Sequence, residues 1–171
     1  MPLNHFTVDG YVGQGLIPDT ASASSSKGEA NFTAQVTHEW EISNVVVTLN
    51  YKHTYPRDLI ITLFSPNGTA VQLVNRGGVN NRLSVDNNHN TAVFDDAVSA
   101  KIDDTTPIPI NGTFQPALPL HQLNGQSMKG AWRLNIKDEA DSDIGQLISW
   151  KLDLMTGKDI WINCSHSPLN K

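Results

Sequence analysis

Residues His53 to Thr69 read HTYPRDLIITLFSPNGT. The middle of this stretch alternates: Leu59, Ile61 and Leu63 on one side, Ile60, Thr62 and Phe64 on the other. Period two is the repeat of a strand with one face on a core. Ser65-Pro66-Asn67-Gly68-Thr69 then supplies turn chemistry. Pro66 fixes its own φ, and Gly68 takes the positive φ that a tight reversal needs. Ala70–Val74 follows as the return strand of a hairpin. The front of the stretch, His53 to Asp58, is polar and holds a His and an Asp five residues apart. It is either catalytic machinery or the rim of a strand.

The same period recurs on both sides. Phe32, Ala34 and Val36 alternate with polar residues, as do Val45, Val47 and Leu49, and later Trp132, Leu134 and Ile136. Leu147–Leu154 and the short Ile160–Ile162 complete the set. No window carries a sustained i, i+3, i+4, i+7 apolar stripe. The 9 prolines and 12 glycines fall mostly between the strand candidates. The pattern predicts an all-β chain: an antiparallel β-sandwich or jelly roll of about 8–10 strands in one domain. Residues 1–28, with their serine-rich Ser22–Ser26 loop, form an extended leading segment. Residues 29–155 form the sandwich, and 156–171 a tail with one short strand. Strands around Asn44–Tyr51 and Leu59–Phe64 are expected to pair antiparallel, with His53–Asp58 as their connection. Thr105–Gln126, rich in Pro, Gly and Asn, is expected to be a long surface connection.

Composition excludes several function classes. A net charge of −5, with no basic run longer than two residues, leaves no nucleic-acid footprint. No apolar stretch approaches the roughly 18 residues of a membrane span, and no secretory signal peptide opens the chain. One cysteine, Cys164, rules out an internal disulfide. Four Asn-x-Ser/Thr sequons stand at Asn31, Asn67, Asn111 and Asn163; a turn-rich β-protein generates such triplets without glycosylation.

The chemical candidates each have a plain alternative. Gly125-Gln126-Ser127-Met128 superficially resembles the sequence around a subtilisin nucleophile, but a Trp-bearing strand follows it where a helix is required. The Gly-x-Ser-x-Gly elbow is also absent. His38, His53, His89, His121 and His166 share no zinc-ligand spacing. Asp95, Asp96, Asp138 and Asp143 are candidate calcium ligands, because loops at one end of a sandwich can gather the six to eight oxygens that calcium takes. Their plain reading is solvated turns. Trp132 and Trp150 sit in alternating strands and read as core, while Trp40 and Trp161 are candidates for exposure.

Four stretches together carry a family resemblance. They are Ile17-Pro18-Asp19 with the serine loop, His53–Leu59 leading to Leu63–Thr69, Phe94-Asp95-Asp96 with Pro116 and Leu120 after it, and Gly130–Leu134 followed by Asp138, Asp143-Ile144-Gly145 and Trp150-Lys151-Leu152. In this order and spacing, over residues 17–155, the chain resembles the P domain (homo B domain) of furin- and kexin-like proprotein convertases. Bacterial versions sit at the C-terminal end of secreted proteases. The motif positions are His53, Tyr55, Arg57, Asp58, Pro66, Gly68, Trp132, Gly145 and Trp150; Pro56 departs from the small residue the family often carries there. The resemblance implies a non-catalytic, secreted β-sandwich that packs against the protease catalytic domain of the same chain and supports its folding. Trp40, Tyr55 and Phe64 are the expected docking residues. The alternative is a carbohydrate- or cell-surface-binding module on the same kind of sandwich.

Overall fold

The computed structural model describes residues 5–19, 28–80 and 89–157. Nine strands run through them: β1 (His5–Ile17), β2 (Gly28–Val36), β3 (Asn44–His53), β4 (Leu59–Phe64), β5 (Ala70–Asn75), β6 (His89–Phe94), β7 (Asn111–Phe114), β8 (Gly130–Asp138) and β9 (Gly145–Met155). A five-stranded sheet has the order β1-β9-β3-β6-β7, and a four-stranded sheet the order β2-β8-β4-β5. All pairings are antiparallel except β6 with β7, which is parallel. This is the all-β sandwich expected.

One core lies between the sheets. Val45, Val47, Leu49 and Tyr51 of β3 and Trp150, Leu152 and Leu154 of β9 face Leu59, Ile61 and Leu63 of β4 and Trp132, Leu134 and Ile136 of β8. All are 1% exposed or less, so alternation along each strand has become the inside and outside of a sheet. The hairpin read from Asn67-Gly68 is present: Phe64 pairs with Ala70, and Gly68 has φ +84°.

Two expectations need correction. β3 and β4 do not pair. β3 lies between β9 and β6, and β4 between β8 and β5, so His53–Asp58 crosses from one sheet to the other. Alternation states that a strand has one buried face; it carries no information about its neighbours. A short 3₁₀ turn, Pro56–Asp58, turns the chain across the gap, with Pro56 and Asp58 buried. Second, Thr105–Gln126 is more than a surface connection. It contains β7 and a 3₁₀ turn, Leu120–Leu123, and Ile110, Leu120 and Leu123 are 0% exposed. Segments of four residues are too short to show a period. The leading segment supplies β1, an edge strand paired with β9, with register shifts between Asp9 and Tyr11 and between Val12 and Gly15. Ile160–Ile162 lies outside the described residues, as do Cys164, Trp161 and His166.

Candidate functional site

The crossover, opened by His53 at the end of β3, organises one end of the sandwich. His53 points inward and is fully buried. The Tyr55 backbone N–H donates to His53 Nδ1 at 3.2 Å. A backbone N–H can only donate, so Nδ1 is an acceptor and the ring proton sits on Nε2. Nε2 in turn donates to Asp138 Oδ2 at 3.2 Å, across 85 residues of sequence. Asp138, the last residue of β8, is also fully buried, and its Oδ1 accepts from the Ala140 N–H at 3.2 Å. The imidazole therefore bridges the two sheets. Gly145 faces the ring: a Cβ there would collide with His53 Cδ2 and sit 3.0 Å from the Lys52 carbonyl. Close approach, rather than an unusual φ, requires this glycine.

A second set of bonds fixes the crossover to the β8–β9 loop. Thr54 donates its hydroxyl to Asp143 Oδ1 (2.9 Å) and its N–H to the Ile144 carbonyl (3.0 Å). The Ile144 N–H returns a bond to Thr54 Oγ1 at 3.0 Å. Arg76, at φ +57°, pairs with buried Asp58 at 3.0 Å, and the Glu139 N–H donates to the Asp58 carbonyl at 3.1 Å. Arg57 reaches Asp104 at 3.2 Å and the Gly78 carbonyl at 3.4 Å. The two residues of the sequence motif thus take different partners: His53 bonds Asp138, and Asp58 pairs with Arg76. With both nitrogens of His53 bonded inside the fold, the His53–Asp138 pair works as a clasp between elements; a general base needs a nitrogen facing a reactant.

The remaining sequence candidates fall elsewhere. Asp96 accepts the backbone N–H groups of Leu120 (2.9 Å) and His121 (2.7 Å) and pairs with His121 Nδ1 (3.1 Å), anchoring the second 3₁₀ turn. Asp95 holds its own turn through the Ala97 N–H at 2.9 Å. Phe94 pairs with Val47 of β3, whereas Gly145 pairs with His53, six residues further along. At strand rise, Asp95 and Asp96 are therefore more than about 20 Å from Asp143. The four aspartates do not form one calcium set. Among the described residues no three His, Cys, Asp or Glu side chains gather to hold a metal. Ser127 accepts from the Lys129 N–H at 3.3 Å, and no described histidine bonds to it.

Trp132 and Trp150 are both core, and Trp132 donates to the Met128 carbonyl at 2.9 Å. Trp40 is half-buried in a compact stack with Phe6 (4.4 Å) and His38 (5.1 Å). Phe64 lies on the outer face of the four-stranded sheet beneath the Arg133 guanidinium, 3.8 Å from its centroid. Tyr55 is half-buried on the crossover. The three nominated docking residues thus stand at three separate places. Among the described residues, the exposed large apolar side chains are others: Leu16 (66%), Ile144 (55%) and Leu118 (45%). In the sequence, Ile144 stands out only within the Asp143-Ile144-Gly145 motif, and Leu16, next to the apolar Ile17, is not singled out. No described helix is long and apolar enough to cross a membrane.

Comparison with known proteins bears on what this end serves. Residues 42–154 match the family model of the proprotein convertase P-domain. Leupeptin-inactivating enzyme 1 of Streptomyces exfoliatus is 30% identical over 108 residues, which cover 62% of this chain and 17% of that protein. The fold is similar to that of a serine protease of Aeromonas sobria, with a TM-score of 0.52 at 16% identity over 90% of this chain and 26% of the other. It is also similar to the A. sobria serine protease solved in complex with a chaperone, with a TM-score of 0.51 at 20% identity over the same shares. The chain thus spans about a quarter or less of each relative's length.

Proposed function

Since the chain belongs to the proprotein convertase P-domain family, we propose that it is a non-catalytic accessory domain of a secreted, subtilisin- or kexin-like endopeptidase, which docks on the catalytic domain and stabilises it. The family match across 113 residues of the sandwich (42 through 154) carries this reading. Two features support it. His53 is spent on a buried clasp with Asp138, and Ser127, the candidate serine nucleophile, accepts from Lys129 of its own loop. Of the described tryptophans, Trp132 and Trp150 are in the core and Trp40 is in a compact stack with Phe6 and His38, so they form no planar exposed row. Docking within one chain stabilises the partner through a high effective concentration, over an interface of about 600–1,500 Å². The test compares the parent protein with and without this segment for soluble yield and for melting of the catalytic part. Deletion should lower both; an enzyme that folds, matures and melts unchanged without the segment refutes the role.

A further inference from the structure

We propose that the corner formed by Leu16, Ile144 and Tyr55 is the anchor of the docking face, and that it takes a surface of the catalytic domain with an apolar centre and a basic rim. This rests on the accessory-domain reading and adds to it which surface is used.

The register brings the residues together. Leu16 pairs with Gln146 and Ile17 with Gly145, so Leu16 and Ile144 are diagonal neighbours where β1 ends and β9 begins. Such diagonal positions lie about 7–8 Å apart. Ile17 and Gly145 point inward, and Leu16 and Ile144 outward. Tyr55 follows Thr54, whose N–H bonds the Ile144 carbonyl. Two of the three exposed large apolar side chains of the described residues therefore share one corner with a half-buried tyrosine.

The mounting of Ile144 is the stronger observation. Its N–H and C=O are both held by Thr54, and the preceding Asp143 is buried and bonded to the same threonine. One residue earlier, Ser142 adopts φ +70° and donates its N–H to both oxygens of Asp19, at 3.1 and 3.0 Å. That bond ties the loop to the end of β1, close to Leu16. An isoleucine left in water gains nothing from so fixed a backbone. A binding anchor does, because the ordering cost is already met before the partner arrives. Rigid, central apolar side chains are the usual hot spots of an interface.

Charge selects the occupant. Asp19, Glu139 and Asp141 stand on the loops around the corner, against Lys52 beside Gln146. An acidic rim around an apolar centre fits a basic rim on the partner. The chain length of the relatives outside this domain supplies a partner body of sufficient size.

The experiment uses the parent protein with Ile144→Lys, Leu16→Lys and Asp141→Lys, with Leu118→Lys as a control on an exposed apolar side chain elsewhere, and with the segment deleted. Melting of the 171-residue chain alone is measured for every variant. The corner variants should lower yield and melting of the catalytic part toward the deletion, a docking loss of about tenfold or more at a hot spot. Leu118→Lys should match wild type, and the chain alone should melt within about 2 °C of wild type in each case, as surface substitutions do. If deletion is harmful but Ile144→Lys and Leu16→Lys are not, the surface is wrong and the accessory role stands. If deletion is harmless, the role itself fails. Equal damage from Leu118→Lys, or loss of stability in the chain alone, overturns the assignment of this corner.

Discussion

Removing the His53 ring should cost more than removing both halves of the clasp. His53→Ala leaves the Asp138 carboxylate fully buried with its cross-sheet donor gone, and leaves the Tyr55 N–H without its acceptor. Stranding a buried carboxylate by removing its hydrogen-bond donor costs about 1.5–3 kcal/mol. For a domain of this size each kcal/mol is worth roughly 2–4 °C, so the melting temperature should fall by ~3–12 °C. The double replacement His53→Phe/Asp138→Leu removes the charge together with its partner and fills the space. Apolar replacement of a whole buried pair is often close to neutral, so the double variant should melt well above His53→Ala. His53→Gln keeps a donor in the direction of Asp138 but loses the Nδ1 acceptor, and should fall between. Urea unfolding with a common m-value, with the single variants His53→Phe and Asp138→Leu added to close the cycle with the double, gives the coupling energy. If single and double variants lose the same stability, or if His53→Ala loses less than about 1 kcal/mol, the clasp does not hold the two sheets in the way argued.

Gly145→Ala drives a methyl group into the His53 ring, so it should destabilise by about 1–3 kcal/mol as an overpacked site and show non-additivity with His53→Ala in the same unfolding assay. Burial pushes the Tyr51 hydroxyl above its ordinary value of 10.0. The fold favours the protonated form, so stability is intact below pH 10 and is lost as pH rises above it; alkaline melting of Tyr51→Phe should lack that loss. At Asp153, burial acts to raise the carboxyl, but the Thr7 hydroxyl at 2.6 Å and the Lys151 charge outweigh it and hold it below 3.8. Its contribution is present above that pH and is lost as pH falls through the lowered value, so Thr7→Val should narrow the gap in melting temperature between pH 6 and pH 3. Because the four candidate aspartates are split between two places, melting curves in chelator and in millimolar calcium should superimpose; a tight site at a hundredfold excess would add about 2.7 kcal/mol and separate them.

What the sequence determined by itself is whatever depends on neighbours within a few residues. The alternation of Leu59, Ile61 and Leu63, or of Trp132, Leu134 and Ile136, fixes which face of a strand is apolar, because successive side chains point to opposite sides. The Asn67-Gly68 turn and the β4–β5 hairpin follow from one permitted φ. The motif residues of the family were legible for the same reason, as spacings along a line. What only the tertiary structure decided is everything set by non-local pairing. β3 and β4 are separated by five residues yet belong to different sheets, because each finds better-matched partners far along the chain. His53, which the sequence sets near Asp58, takes Asp138 as its partner across 85 residues while Asp58 pairs with Arg76, so a pair with the look of catalysis becomes two fastenings. Asp95 and Asp138 look like one acidic set and are parted by the strand register. Leu16 and Ile144 carry no local signal of exposure: Leu16 and Ile17 are adjacent apolar residues, and only the pairing with β9 shows Ile17 facing the core and Leu16 outside, beside Ile144. Local sterics can be read residue by residue; which strands lie together is a property of how the whole set of apolar faces is closed, and no short window of sequence contains it.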